Sequence, residues 1–348
     1  MTPTSSIIKS AFLHEVLDQP KALALTLEKF EIKPSLRTIA AQLNEGVFRR
    51  IVLTGMGSSL YALYPLHLQL TEKGYTSIVA ETSELIYYLS RLLDPATLIV
   101  AVSQSGQSAE IVHLLEHNAS RATIVGVTNT PESALGLRAN CVLLTHAGEE
   151  NSVSCKTYVT GLMALRLLAS VLCGEDDEGE RSELMQLIPA ADAYLGLWGD
   201  HVAELAGKVE GVRHWILVGR GPSLAATHTG GLTIKESVRV SAEGMSSAAF
   251  RHGPIEMLGS ETFVLVFLGD EKGRELNLSL HEHVRELGHK SALIGEDANG
   301  AFRLPPSSGS MRTILEIMPI QMLILALASR VGIEPGQFAI ASKTTILE

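Results

Sequence analysis

A chain of 348 residues, 46% of them hydrophobic, can bury a large core and is expected to hold two domains rather than one. Its formal charge of −10 is spread along the chain without a lysine or arginine cluster, which argues against nucleic acid and anionic membranes as partners. Cys141, Cys155 and Cys173 have neither metal-ligand spacing nor an even disulfide framework, so no metal is expected and a reducing, cytoplasmic setting is.

The chain begins MTPTSSIIKSAFLHEV, with no apolar core of signal-peptide type before charged residues intervene. Residues 7–31 read as helical with Pro20 near the middle, within an N-terminal helical segment taken as 1–34. From there RIVLT, TSIVAE, TLIVAVS, TIVGVTN and CVLLTH alternate with helical patterns such as LYALYPLHLQLTEKG and SAEIVHLLEHN. Continuous Val/Ile/Leu runs between amphipathic helices predict a parallel sheet covered on both faces, with ligands beyond the carboxyl ends of its strands. Both polar turns, GMGSS after the first strand and SQSGQS after the third, fall there. The hydroxyls of Ser103 and Ser105, the Gln104 amide and the following helix start make a phosphate-sized donor cup that Ser59 can close. The competing reading is an ordinary helix start with Ser108 as its N-cap.

The first domain is taken as 35–175. Residues 174–183, GEDDEGERSE, read as an acidic hinge that leads into a helix ending near Gly207, so 176–207 is a linker. A second domain is taken as 208–338 and a tail as 339–348. The longest apolar stretch, Ile317 to Ala328, contains Gln321 and is too short to span a bilayer.

An internal repeat supports two copies of one α/β unit. IVLTGMGSSLYA (51–62) and WILVGRGPSLAA (215–226) align at an offset of 164, matching Gly55, Gly57, Ser59 and Leu60 with Gly219, Gly221, Ser223 and Leu224. The same offset lays LIVAVS (98–103) over TFVLVF (262–267). Ser103, Gln104, Ser105 and Gly106 then fall on Phe267, Leu268, Gly269 and Asp270, so only the first copy carries the hydroxyl-rich turn. The second copy offers AEGMSSAAFRHGPIEML (242–258) instead, where Gly253 and Pro254 restrict the backbone that aims His252. Glu236 lies upstream in TGGLTIKESVRV, and an acid, a histidine and a phosphate cup together suit general acid/base work.

GMGSSLYA, SQSGQSAE, TNTPESAL, the KES…AEGMSSAAFRHGP block and the terminal ASKTTILE together resemble the sugar isomerase (SIS) family. Within it they are most similar to the double-SIS isomerase half of glucosamine-6-phosphate synthases. The resemblance implies an α/β fold of two tandem SIS domains, each a flavodoxin-like, doubly wound parallel sheet flanked by helices. It implies that Ser58, Ser59, Ser103, Gln104, Ser105 and Ser108 grip a sugar 6-phosphate, with Val153 and Ser154 as further substrate contacts. It assigns Glu236 as proton shuttle between C1 and C2, His252 as the ring-opening group and Lys343 as the tail lysine that can form an imine with a ketose. No cofactor is implied. A homodimer is, in which one subunit's histidine loop completes its neighbour's site.

Two departures stand out. Thr229 and Thr233 replace a glutamate and a lysine that the synthases carry upstream on the same helix, and SVSCKTYVT (152–160) is one residue shorter than the corresponding turn. Residue 2 is Thr rather than the nucleophilic cysteine of a glutaminase half, so glutamine-driven synthesis is not expected. The leading reading is therefore a phosphosugar isomerase or aminosugar-6-phosphate deaminase, with a fructosamine-6-phosphate deglycase as its enzyme rival. A non-catalytic sugar-phosphate-binding protein is disfavoured by the retained Glu/His/Lys set. A dinucleotide oxidoreductase is disfavoured because Leu60 replaces the third glycine of the phosphate turn.

Overall fold

The computed structural model describes residues 5–119, 121–175, 177–340 and 342–345. Within the segments assigned above to the N-terminus and the tail, residues 1–4, 341 and 346–348 lie outside the described residues. Two compact units emerge. One comprises Lys21–Glu149, Lys156–Met185 and the described residues after Ile340; the other comprises the described residues up to Pro20, Glu150–Cys155 and Gln186–Ile340. This division is discontinuous in sequence, which linear boundaries at 34, 175, 207 and 338 do not express.

The first unit is built on β1 (Arg50–Gly55), β2 (Ser77–Glu81), β3 (Thr97–Val102), β4 (Thr123–Thr128) and β5 (Cys141–Leu144). They pair in the order β2-β1-β3-β4-β5, every ladder parallel, with Thr54 opposite Ala101 across the β1/β3 pair. That is the flavodoxin-like order, whose ligand crevice opens where chain connections diverge between β1 and β3. Buried β-branched residues explain the strands: Val52, Ile99 and Ile124 pack with Ile111 and Leu114 of the helix Ala109–Asn118.

The second unit holds β6 (His214–Gly219), β7 (Ser241–Ser246), β8 (Thr262–Phe267) and β9 (Lys290–Ile294) in the order β7-β6-β8-β9, again all parallel. It repeats the first four positions of the other sheet and lacks a fifth strand among the described residues. Its core joins Ile216, Val218, Val264 and Val266 to Phe250, Leu280 and Val284.

Three local expectations are corrected. The N-terminal helical stretch breaks at Asp18, and Pro20 sits in the first turn of the helix Gln19–Lys29, where a missing N–H removes no hydrogen bond. The acidic hinge is largely the start of the helix Asp177–Gly196, with Glu180 paired to Arg166 and Glu175 to Lys73. Segment Met311–Val331 and the helix Lys156–Cys173 are long and apolar enough to cross a membrane, beyond the stretch read from sequence. Both are mostly buried inside the protein, so core packing accounts for their composition.

Candidate active site

The first unit brings its two polar turns together because β1 and β3 are neighbours and end side by side. Gly55 closes β1 in contact with β3: a Cβ there would stand 3.0 Å from the Val102 carbonyl oxygen. Gly57 then takes a left-handed φ of +53° and opens the short helix Ser58–Tyr61, leaving Ser58 and Ser59 half-buried. The turn after β3 is braced from β4. Ser103 N–H donates to the Val127 carbonyl (3.0 Å), and the Gln104 carbonyl accepts from Asn129 N–H (3.0 Å) and Thr128 Oγ1 (3.2 Å). Gly106 has φ +62°, and a Cβ there would lie 2.1 Å from Ser133 Oγ, so the turn admits glycine alone.

The serine oxygens accept within the turn, Ser103 Oγ from Gly106 N–H (3.1 Å) and Ser105 Oγ from Gln107 N–H (3.3 Å). Their hydroxyl hydrogens have no acceptor among the described residues and are available to an anion. Ser108 does occupy the N-cap position of the helix Ala109–Asn118, yet its side chain makes no capping bond. Its hydroxyl is therefore not spent on the helix, contrary to the ordinary-cap reading.

One amide of that helix start is spoken for. Ala109 N–H donates to the Thr345 carbonyl at 3.0 Å, which fastens the tail two residues beyond Lys343 to the edge of the cup. Lys343 itself is half-buried. The tail lysine and the serine turns thus lie in one unit, joined by a hydrogen bond between residues far apart in sequence.

The double variant Ser103→Ala/Ser105→Ala should keep the fold and lose affinity for a hexose 6-phosphate. Each hydrogen bond to a charged group is worth about 1.5–3 kcal/mol, or roughly 10- to 100-fold per hydroxyl. Titration calorimetry reads the change, and unaltered binding would move the phosphate to another place.

The second unit carries Glu236 and His252 on adjoining elements. Glu236 is half-buried near the end of the helix Leu224–Val238, which packs backbone to backbone on β7. A Cβ on Gly231 would meet the Gly244 nitrogen at 2.6 Å, and one on Gly244 the Thr227 carbonyl oxygen at 2.2 Å. β7 leads through the helix Ser247–Arg251 to His252, which is followed by Gly253 at φ +131° and Pro254. The His252 ring is exposed and has no hydrogen bond or ion pair among the described residues.

Thr229 and Thr233 are buried, and Thr233 Oγ1 donates to the Thr229 carbonyl (2.9 Å). The helix face that would bear an acid and a cation is here neutral and enclosed. Val153 is buried and Ser154 half-buried, on the segment Glu150–Cys155 that belongs to the second unit. Among the described residues, no group of three or more His, Cys, Asp or Glu side chains is placed to hold a metal ion.

The sequence reading missed Glu316. This carboxyl is fully enclosed, accepts from Ser223 Oγ at 2.7 Å, and leaves Oε2 without a partner. The available signal was a lone acid inside the apolar run TILEIMPIQMLILALA. Burial pushes its pKa up to about 7, against the Ser223 hydrogen bond and the Arg312 charge, with Asp270 adding to the rise. The folded protein then keeps a proton that the unfolded chain releases near the ordinary value of 4.5, so stability falls as pH rises from 4.5 to 7. The loss should approach ~3 kcal/mol above pH 7. Urea unfolding at pH 5 and pH 8 should show this slope in the parent and its absence in Glu316→Gln; equal slopes would contradict it.

Comparison with known proteins accords with this geometry. Residues 48–171, which contain the whole first sheet and both serine turns, match the SIS domain model. Glutamine–fructose-6-phosphate aminotransferase (isomerizing) of Pyrococcus horikoshii is 30% identical over 348 residues, covering 97% of this chain and 57% of that protein. The chain spans 57–60% of the length of this and two further curated relatives of the same name. Among solved structures, the C-terminal domain of glucosamine-fructose-6-phosphate aminotransferase from Francisella tularensis superposes with a TM-score of 0.81 at 21% identity, covering 93% of this chain and 96% of that one. Glucosamine-6-phosphate deaminase from Thermotoga maritima gives 0.79 at 20% identity, covering 97% and 100%. These two likenesses show the shared fold. The likeness to the SIS domain is thus carried by residues 48–171, the segment that holds the first sheet and both serine turns.

Proposed function

We propose that the protein is a phosphosugar isomerase or aminosugar-6-phosphate deaminase that moves a proton between C1 and C2 of a hexose or hexosamine 6-phosphate. The observation that carries this reading is the Ala109–Thr345 hydrogen bond, which ties the lysine-bearing tail to the serine cup at the β1/β3 switch point. An anion cup alone suits a sensor; a lysine-bearing tail fastened beside it suits carbonyl chemistry.

In this reading Ser58, Ser59, Ser103, Gln104, Ser105 and Ser108 hold the phosphate dianion and fix the sugar's far end. His252 moves the proton between ring oxygen and anomeric hydroxyl, which opens the ring. The Glu236 carboxylate takes the proton from one of the two carbons and returns it to the other through an enediol or enolamine. With a 2-amino sugar, the proton delivered to C1 leaves a C2 imine, whose hydrolysis releases ammonia and a ketose phosphate. Lys343 on the tail shields the open-chain carbonyl from water and can bond to a ketose carbonyl. The reading includes a homodimer. The exposure of His252 supports that part, since a residue completing a neighbour's site must be presented at the surface.

The test is product analysis with glucosamine 6-phosphate, glucose 6-phosphate and a fructosamine 6-phosphate in deuterated buffer. Ammonia release or aldose–ketose exchange with deuterium at C1 or C2 is the expected result. Amino-acid release from the fructosamine phosphate alone would instead identify a deglycase. Binding of all three without turnover would leave a sensor and overturn the proposal.

A further inference from the structure

The repeat that builds the second unit also rebuilds the place where the first unit holds its cup. β6 and β8 occupy the positions of β1 and β3, so the turns after them meet at a second switch point. Both turn glycines recur in the same backbone state: Gly221 at φ +56° matches Gly57 at +53°, and Gly269 at +69° matches Gly106 at +62°. The second match lies one position away from the sequence offset of 164. A Cβ on Gly269 would stand 3.1 Å from Ser223 Oγ, so the two turns converge on the hydroxyl that corresponds to Ser59. Ser223 opens the helix Leu224–Val238 and makes no capping bond with its side chain.

What differs is the hydroxyl's partner. In the first unit the serine hydrogens have no acceptor among the described residues; here Ser223 donates to Glu316 Oε1 at 2.7 Å. Glu316 is 1% exposed, and its Oε2 is enclosed without a partner. A buried carboxyl offers a hydroxyl donor the same kind of acceptor oxygen as a phosphate. Around it, Arg312 donates to the Gly269 carbonyl (3.1 Å), Arg220 Nε is buried without a partner, and Asp270 caps the helix Glu271–Glu286 through Gly273 N–H (3.1 Å).

We infer that the second switch point is a phosphate cup stoppered by the chain's own Glu316 carboxyl, and that removing this side chain opens it to inorganic phosphate or a phosphomonoester. The inference rests on the reading of the first cup as a phosphate grip. It accounts for why one of two repeated units carries the hydroxyl-rich turn while the other keeps the turn glycines and the serine.

The probe is inorganic phosphate, followed by phosphorus NMR and titration calorimetry. The parent should take up one phosphate per chain, lost in Ser103→Ala/Ser105→Ala. Glu316→Ala should take up two, the second lost when Ser223→Ala is added, whereas Glu316→Gln, which refills the cup with an isosteric amide, should stay at one. Glu316→Ser is the companion variant, a second truncation of the same side chain to be used should the alanine variant unfold. A folded Glu316→Ala or Glu316→Ser with no Ser223-dependent phosphate overturns the inference, as does a Ser223-dependent phosphate in the parent. Because the two sites answer to different serines, failure at the first cup is read separately from failure at the second.

Discussion

Glu236→Gln is expected to slow exchange of the substrate's C1 or C2 proton with solvent by about 10²- to 10⁴-fold while binding of a hexose 6-phosphate persists. The amide has the size and polarity of the carboxylate but cannot accept the proton. Its position should be unchanged, because the helix Leu224–Val238 is held on β7 by backbone contacts at Gly231 and Gly244 that the substitution does not touch. The affinity should persist because the serines proposed to hold the phosphate lie in the other unit. Deuterium wash-in followed by proton NMR measures the exchange directly. Normal wash-in in the variant would remove Glu236 from the role of shuttle; a loss of binding with no loss of exchange per bound substrate would make it a contact residue.

His252→Ala should cost a comparable factor, about 10²- to 10⁴-fold in kcat/KM, on substrates that exist almost wholly as rings. On an open-chain analogue of the same phosphate the loss should be small, since no ring proton then needs to move. The geometry makes this a clean experiment. His252 is exposed at the end of the helix Ser247–Arg251, its ring bonds to nothing among the described residues, and truncation leaves no buried partner stranded. Equal losses on both substrates would mean that the residue supports the turn before Gly253 and Pro254 or positions the sugar, and the ring-opening role would be withdrawn. If His252 serves a neighbouring copy, mixing His252→Ala with Glu236→Gln subunits should restore part of the activity that neither shows alone.

Much of this protein is legible before folding. Runs such as LIVAV and FVLVF alternate with amphipathic stretches, and burial on both faces of a parallel sheet requires that pattern, so the α/β class follows from composition along the strand. The repeat at 164 is legible because both copies need the same glycines where the chain leaves its first strand, and positive φ tolerates few other residues. Gly57 and Gly221 show this directly.

The serine cup is half legible. Ser103, Ser105 and Ser108 stand beside a glycine in one short segment, and their neighbourhood is fixed by local chain geometry. That Ser58 and Ser59 join them depends on β3 pairing with β1 rather than elsewhere, a long-range choice made by the sheet. The alignment of repeats placed Asp270 opposite Gly106, but the backbone puts Gly269 there, because turns absorb a one-residue shift that strands cannot.

By itself, then, the sequence determined the elements, their duplication and the residue types at the strand ends, all of which depend on propensity, periodicity and backbone sterics over a few residues. Only the tertiary structure decided what meets what. It returned Thr345 to Ala109, set Glu316 on Ser223 across 93 residues of chain, and gave Glu150–Cys155 to the second unit. It also enclosed Thr229 and Thr233 and left His252 in solvent. Contacts of this kind are chosen by which buried polar groups can be satisfied and which apolar faces can close together, and neither condition is written in the spacing of one segment.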